Sequence, residues 1–420
     1  MIKAEKYAKS VISGIVPAPK YVIIQCQKFL NILEGKDKQC FLDFEKLKMI
    51  ENALKMLIMP RGLRSGESIY DCSCGFQWLF YTSILCIVHR ENTQKRKYET
   101  AILEIGRKNF KTFTVATIFI LLFLLEPKFS KFYSVAPDGS LSREVKTAIE
   151  EILKSSPLVY LKNEMPRFKI LRDYIQFNAN ENRYIPLNYS NSRMDGKLPN
   201  VFLADEVGAL PNNSAIESMR SGQLNILTKL GCIISTKYAT IHNPFEEEIS
   251  YAKRILDSVE ADETLFALLY EPDETEEWMT DDLILKHANP VALEIPEIWD
   301  DLIKKRARAI ALNSAKENFL TKHCNIIYSG GGTENFIDIK DLLNRRTNKI
   351  DWKGREVYLG VDLSMSVDNT SVAMVAVDED NCILADSFCF IPEGRIEEKN
   401  KTEKLDYRRF IDTKMLSVWI

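Results

Sequence analysis

The chain has 420 residues, 45% hydrophobic and 27% charged, with a net charge of -3, long enough for two or three domains around a large core. That balance excludes a disordered polyelectrolyte and a globally basic nucleic-acid binder, so any DNA contact must come from a local patch. The nine cysteines form no CxxC pair and no metal-ligand spacing, and a reducing cytoplasm is their expected setting.

Taken in order, residues 1–62 predict an N-terminal helical region, with helices over 21–34 and 40–59 ending at Met59-Pro60-Arg61-Gly62. An apolar helix follows from Phe76 to about Val88. Gln77 lies on it; a glutamine amide offers donor and acceptor together and can read an adenine edge, or it can simply face water.

Thr100-Ala101-Ile102-Leu103-Glu104-Ile105 reads as a strand, Gly106-Arg107-Lys108-Asn109-Phe110 as a polar turn, and Lys111-Thr112 opens an apolar run to Leu125. Strand, turn, Lys-Thr and helix is the layout of a phosphate-binding P-loop. Turn N–H groups and the helix N-terminus would face a phosphate, Lys111 would reach the β- and γ-phosphates, and Thr112 would ligate Mg²⁺. Phe110 and Ile105 stand where glycine is usual. The run from Phe113 to Leu125 has thirteen residues, short of the roughly 20 that span a membrane, and reads as a buried helix.

Further on come a strand at 131–136 and a helix at 141–154 with Val145, Ile149, Ile152 and Leu153 on one face. Short strands are predicted at 168–171, 174–177 and 184–187. Val201-Phe202-Leu203-Ala204 then reads as a buried strand that delivers Asp205 and Glu206 at its C-terminal end, where α/β sheets place ligands. Asp205 suits Mg²⁺ and Glu206 suits polarising a water. Gly231-Cys232-Ile233-Ile234 is a second such strand, ending in Ser235-Thr236, small hydroxyls able to sense a γ-phosphate. Ser329-Gly330-Gly331-Gly332-Thr333 reads as a linker. Beyond it, residues 356–364 and 369–377 form a predicted hairpin, with a further strand over 382–388. Asp362 leaves the first strand as a ribonuclease H-like sheet presents its first metal ligand, while Asp368 fits a turn-former.

Together these stretches resemble the large terminase subunit of tailed bacteriophages, a DNA-packaging motor. Gly106-Arg107-Lys108-Asn109-Phe110-Lys111-Thr112 is similar to that family's deviant Walker A, Phe76-Gln77 to its adenine motif, and Asp195-Gly196-Lys197-Leu198-Pro199 to the lead into its Walker B. Ser235-Thr236 occupies the place of the coupling motif, Ala288-Asn289-Pro290 also recurs there, and Gly360-Val361-Asp362-Leu363-Ser364 with Asp368-Asn369-Thr370 resembles the opening of the nuclease domain.

The resemblance, over roughly residues 65–420, implies an α/β chain. A P-loop NTPase domain with a mainly parallel central sheet (63–300) would follow the N-terminal helical region (1–62). A helical segment and linker (301–350) and an incomplete ribonuclease H-like nuclease domain (351–420) would come after it. ATP and Mg²⁺ are the implied cofactors, with Mn²⁺ or Mg²⁺ at a nuclease site on Asp362. Glu206, Lys111 and Arg107 are the implied catalytic residues. Gln77, Gly106, Arg107, Lys108, Asn109, Phe110, Lys111 and Thr112 would hold nucleotide, Thr112 and Asp205 its Mg²⁺, and Ser235 and Thr236 would couple turnover to motion. The implied partners are double-stranded viral DNA, a portal protein, the terminase small subunit and further copies in a ring, in the cytoplasm of a bacterial host, with no membrane. The family's remaining nuclease acids lie on later strands, so a truncated or prophage-derived chain that has lost its endonuclease is expected. The alternative is a vestigial protein that binds DNA or packaging partners without turnover.

Overall fold

The computed structural model describes residues 1–159, 166–189, 196–240, 242–328, 344–347, 350–363, 369–403, 407–412 and 416–419. The chain folds as two units, Met1–Glu334 and Asn335–Ile420. The predicted linker at 329–333 and Asp195 lie outside the described residues.

The first unit begins with α1 (Lys3–Ile12), α2 (Lys20–Leu33), β1 (Cys40–Leu42), α3 (Phe44–Met56), α4 (Ile69–Cys72), α5 (Gly75–Cys86) and β2 (Ile87–His89). The N-terminal region is therefore not wholly helical: β1 pairs antiparallel with β2. Nor does it stand apart, because α1 and α2 share one apolar cluster with α5, and the Tyr7 hydroxyl lies 2.8 Å from that of Tyr270.

Next come β3 (Thr100–Glu104), α6 (Lys111–Leu125), β4 (Lys131–Ala136), α7 (Gly139–Ser155), β5 (Phe168–Ile170), β6 (Ile175–Phe177), β7 (Asn182–Asn188), β8 (Val201–Asp205), α8 (Ser214–Gly222), β9 (Leu230–Ser235), α9 (Pro244–Leu256) and β10 (Leu265–Leu269). The sheet order is β10-β3-β9-β8-β4-β7-β6-β5. From β10 to β7 every pairing is parallel; β6 and β5 add an antiparallel edge. Parallel strands covered on both faces need continuous apolar runs, and all five residues of β10 and all six of β9 are buried.

Helix α6 is buried around its whole circumference from Thr114 to Phe123, which explains an apolar run with no polar stripe. It stops at Glu126, extended at ψ 152°, because the following Pro127 crowds any helical conformation there. Phe119 meets Tyr184 at 4.7 Å with the rings tilted, and Phe123 meets Phe132 and Phe168 edge-on at 5.4 and 5.5 Å. Each such ring contributes roughly 1.5–3 kcal/mol of burial, enough to fix the helix that starts at Lys111.

After β10, α10 (Asp282–Ala288), α11 (Pro296–Ala311) and α12 (Asn313–His323) pack around Trp278, Leu285, Phe319 and Leu320. The division expected at residue 300 falls inside α11, so no domain boundary lies there. No helix among the described residues is long and apolar enough to cross a membrane.

The second unit holds β11 (Tyr358–Asp362), β12 (Thr370–Val377), β13 (Ile383–Pro392), α13 (Ile396–Glu403), α14 (Tyr407–Asp412) and β14 (Ser417–Trp419). Its sheet runs β11-β12-β13-β14, antiparallel except for the last pair. Three strands are predicted from sequence; β14 adds a fourth, and Ile396 and Tyr407 pack with Ile391 and Leu416 in a small core. Tyr358, Leu359, Val361, Leu363 and Ile383 remain exposed.

Candidate nucleotide site

Strands β3, β9 and β8 are neighbours, and their registers bring Glu104 level with Ser235 and Asp205 level with Ile234. The loop after β3, the turn after β8 and the end of β9 therefore emerge at one edge of the sheet, with β9 between the other two. This is the crevice where open parallel sheets bind ligands.

The loop from Ile105 to Phe110 is fixed at both ends. The Ile105 N–H donates to Ser235 O (3.4 Å), that of Gly106 to Ala288 O (3.1 Å), and that of Arg107 to Lys322 O (2.6 Å). Gly106 is required by this close approach, since a Cβ there would lie 2.8 Å from Asn289 Oδ1 and 2.9 Å from Ala288 O. Buried Asn109 donates to Gly106 O and Asn289 Oδ1, each at 2.9 Å, and accepts from Val291 N at 3.2 Å. Lys108 (φ 73°) and Phe110 (φ 56°) are both left-handed. The next three N–H groups, of Lys111, Thr112 and Phe113, precede the first closed turn of α6 and have no acceptor within their own helix, while the helix dipole favours an anion before them.

Lys111 Nζ donates to Glu206 Oε1 at 2.9 Å, and the Tyr238 hydroxyl donates to Glu206 Oε2 at 2.9 Å. Glu206 itself is left-handed (φ 51°), a conformation disfavoured for a residue with a side chain. Burial works to raise its carboxyl, but Lys111, Tyr238 and Lys322 together hold it below the ordinary value. Burial pushes neighbouring Asp205 up to about 6 despite Lys111, with Glu206 adding to the rise. The two adjacent acids are thus driven apart in proton affinity, Asp205 upward and Glu206 downward.

Ser235 closes β9. Its hydroxyl donates to Thr236 O (3.0 Å) and accepts from Gly208 N (3.3 Å), joining β9 to the turn that follows Glu206. The Thr236 hydroxyl accepts from Lys322 Nζ at 3.0 Å. Next, Lys237 Nζ sits among Glu104 (3.0 Å), Glu246 (2.9 Å) and Glu271 (3.1 Å). Lys253 also pairs with Glu271, so two ammonium groups face three carboxylates, and burial raises the carboxyl of Glu104, the most enclosed of them.

Two family models match the sequence: "Terminase large subunit, ATPase domain" over residues 76–254 and "Terminase large subunit, endonuclease domain" over residues 259–420. Between them they take in most of the chain. It belongs to the terminase large subunits. The endonuclease match begins ahead of β10, so its first part folds within the first unit. Among solved structures, the large terminase of bacteriophage HK97 superposes with a TM-score of 0.54 at 19% identity, covering 89% of this chain and 74% of that one. The large terminase of a thermophilic bacteriophage, solved in complex with ADP, gives 0.37 at 13% identity, over 75% of this chain and 68% of that one. No curated protein matches at a significant level.

Within the terminase ATPase domain the structure brings together Gly106, Arg107, Asn109, Lys111, Asp205, Glu206, Ser235 and Thr236, all picked out from sequence. Gln77 is placed otherwise. It is buried, its carbonyl accepts from Cys74 N (2.9 Å), and its amide donates to Thr114 Oγ1 (2.7 Å), which in turn donates to Phe110 O (2.9 Å). The carbonyl and one N–H of the amide are engaged by protein, and the side chain ties α5 to the P-loop helix.

Asp362 lies at the end of β11 in the second unit, and Asp368 falls outside the described residues. Residues directly opposite in antiparallel strands share a face, so Asp362, Ser371 and Cys389 point one way and Asp386 the other. Among the described residues no group of three His, Cys, Asp or Glu side chains is placed to hold a metal ion. The described nuclease residues thus do not fit a two-metal centre.

Sequence reasoning missed Tyr238, Lys237 and Lys322. Tyr238 stands two residues beyond Thr236 and was open to notice as a phenol next to a coupling pair. Lys322 carries no local signal; only the fold returns α12 to the loop.

Proposed function

We propose that this chain is the ATP-hydrolysing subunit of a viral DNA-packaging motor, acting on double-stranded DNA in the cytoplasm of a bacterial host. The observation that supports it best is the hydrogen bond from Lys111 to Glu206, which joins the P-loop to the end of the acidic strand. A triphosphate before α6 would draw Lys111 and Arg107 to its oxygens and release Oε1 of Glu206 to accept a proton from an attacking water. Backbone N–H groups of Lys111 to Phe113 would meet the phosphates. Lys108, Asn109 and Phe110 would shape the loop around them, with Gln77 acting through Thr114. The donor set fits Mg²⁺, since Thr112 offers a hydroxyl and Asp205 a buried carboxylate; the ion would neutralise phosphate charge. Ser235 and Thr236, on the strand between the loop and Glu206, would pass the change to the rest of the sheet.

In this reading the partners are DNA, a portal protein, a small terminase subunit and further copies of the chain in a ring. The nuclease is read as inactive in this chain, because among the described strand residues Asp362 is the one acid on its face of the sheet. One observation favours a second reading, of a binding protein without turnover: Phe110 is left-handed at a position where glycine is at ease. The test is steady-state ATP hydrolysis by the purified chain with and without linear double-stranded DNA, in Mg²⁺ and in chelator. DNA-stimulated, Mg²⁺-dependent hydrolysis supports the motor. DNA binding with no hydrolysis under any condition favours the second reading.

A further inference from the structure

Lys322 lies on the last turn of α12, 115 positions or more beyond every P-loop and acidic-strand residue, yet it is bonded to both sides of the site. Its carbonyl accepts the Arg107 N–H at 2.6 Å. Its ammonium donates to Thr236 Oγ1 and to Lys237 O, each at 3.0 Å. The same nitrogen sits 3.1 Å from the centre of the Tyr238 ring, and that phenol donates to Glu206 Oε2. An ammonium has three donors. Two are spent on oxygen acceptors and the third side of the group faces the ring, so Lys322 does not reach a phosphate from this position. It acts on other residues.

We propose that Lys322 is a positioning residue for ATP hydrolysis, setting the pose of Glu206 through Tyr238 while its backbone carbonyl keys that pose to the P-loop at Arg107. The inference rests on the ATPase reading given above. The geometry supplies the linkage in both directions. A cation over an aromatic face is attracted to it and anchors the ring. The anchored ring fixes where its hydroxyl meets the carboxylate. If Arg107 shifts toward phosphate, its N–H pulls on the carbonyl of Lys322, and α12 must follow. Thr236 and Lys237 O share the same ammonium, so the end of β9 moves in the same step. Sequence offers no hint of this, because Arg107, Glu206, the segment 236–238 and Lys322 come from separate stretches of the chain.

The experiment compares Lys322→Met, Lys322→Arg, Tyr238→Phe and the Lys322→Met/Tyr238→Phe pair in the full chain. It measures affinity for a fluorescent ATP analogue with Mg²⁺, steady-state kcat and KM, and Tm. Lys322→Met is expected to lower kcat at least about tenfold while affinity changes less than about threefold, the split that marks loss of a transition-state contact. Tyr238→Phe, which removes one hydroxyl and leaves the packing, is expected to fall similarly. The pair should be no worse than its weaker member, because both act through one carboxylate. Lys322→Arg should recover part of kcat, since it keeps a cation over the ring. Wild-type kcat in either single variant overturns the proposal. So does a loss of affinity and Tm in Lys322→Met with Tyr238→Phe unaffected, which marks a purely structural lysine. An unaltered chain that binds no ATP at all removes the ATPase reading and this inference with it, an outcome distinguishable from the others.

Discussion

Lys111 and Glu206, ninety-five residues apart in sequence, share a 2.9 Å hydrogen bond that joins the loop after β3 to the end of β8. Both side chains are largely enclosed. The pair aligns the cation that would hold phosphate with the carboxylate that would handle water, and neither group is left as an unpaired buried charge.

Phe110 holds φ 56° at the start of α6 and packs against the main core. A left-handed non-glycine residue costs roughly 1–2 kcal/mol, and a bulky side chain limits backbone approach by a ligand. Phe110→Gly is expected to tighten ATP binding by about three- to tenfold, with little net change in Tm because glycine loses more entropy on folding. Titration with a fluorescent analogue checks it. Unchanged or weaker affinity would show that the phenyl packing matters more to the loop than the strain.

Asn289 ties three segments together, donating to Leu285 O (2.9 Å) and His323 O (2.7 Å) and accepting from Asn109 (2.9 Å). Asn289→Ala strands several buried polar groups, each worth about 1–3 kcal/mol. A drop in unfolding free energy of about 3 kcal/mol is expected by denaturant titration, together with weaker ATP binding because Asn109 loses its brace.

His323 is buried near Lys305, Arg107 and Lys108; burial first, then those cations, push it down to about 4. It is neutral in the folded chain at pH 7. In the unfolded chain it titrates near 6.5, so below that pH the unfolded state binds more protons and folding weakens. Its contribution is full above about 6.5 and is lost as pH falls toward 4, by up to ~3 kcal/mol. Denaturant titrations between pH 4 and 7.5 should show a shallower acid loss in His323→Gln than in the unaltered chain. Parallel curves would contradict the assignment.

Among its described residues the second unit buries one small cluster, Ile391, Ile396, Tyr407 and Leu416, with Ala376 besides, while Tyr358, Leu359 and Ile383 stay exposed. Little apolar area leaves little to offset chain entropy. Hydrogen exchange is expected to be fastest in β11 to β14 and slowest in β3, β8 and β9. With Asp362 the one acid on its face among the described strand residues, plasmid DNA should remain uncut in Mg²⁺ or Mn²⁺; cleavage that disappears in Asp362→Ala would show that further ligands assemble around it.

Much of the first unit was legible in the sequence for physical reasons. The runs 201–204 and 231–234 are uniformly apolar because parallel strands are covered on both faces, and the acids and hydroxyls after them mark the strand ends. The helix at 141–154 showed its face at Val145, Ile149, Ile152 and Leu153, all buried. Strand order was not legible: nothing local tells β9 to enter between β3 and β8. The contacts of Gln77 were not legible for a related reason. An amide on an apolar helix looks the same in sequence whether it turns to a ligand or to Thr114. Lys322 and Asn289 belong to a segment whose contacts with the loop exist only after folding.

The most direct measurement is ATP affinity and turnover in Lys111→Ala and Glu206→Gln side by side. Removing the Lys111 charge should weaken ATP binding about 10–100-fold and abolish hydrolysis. Glu206→Gln should keep affinity within a few-fold while turnover falls by roughly 10²–10⁴, because only the handling of the attacking water is lost. Equal loss of affinity in the two variants, or full turnover in Glu206→Gln, would contradict the division of roles between these two residues.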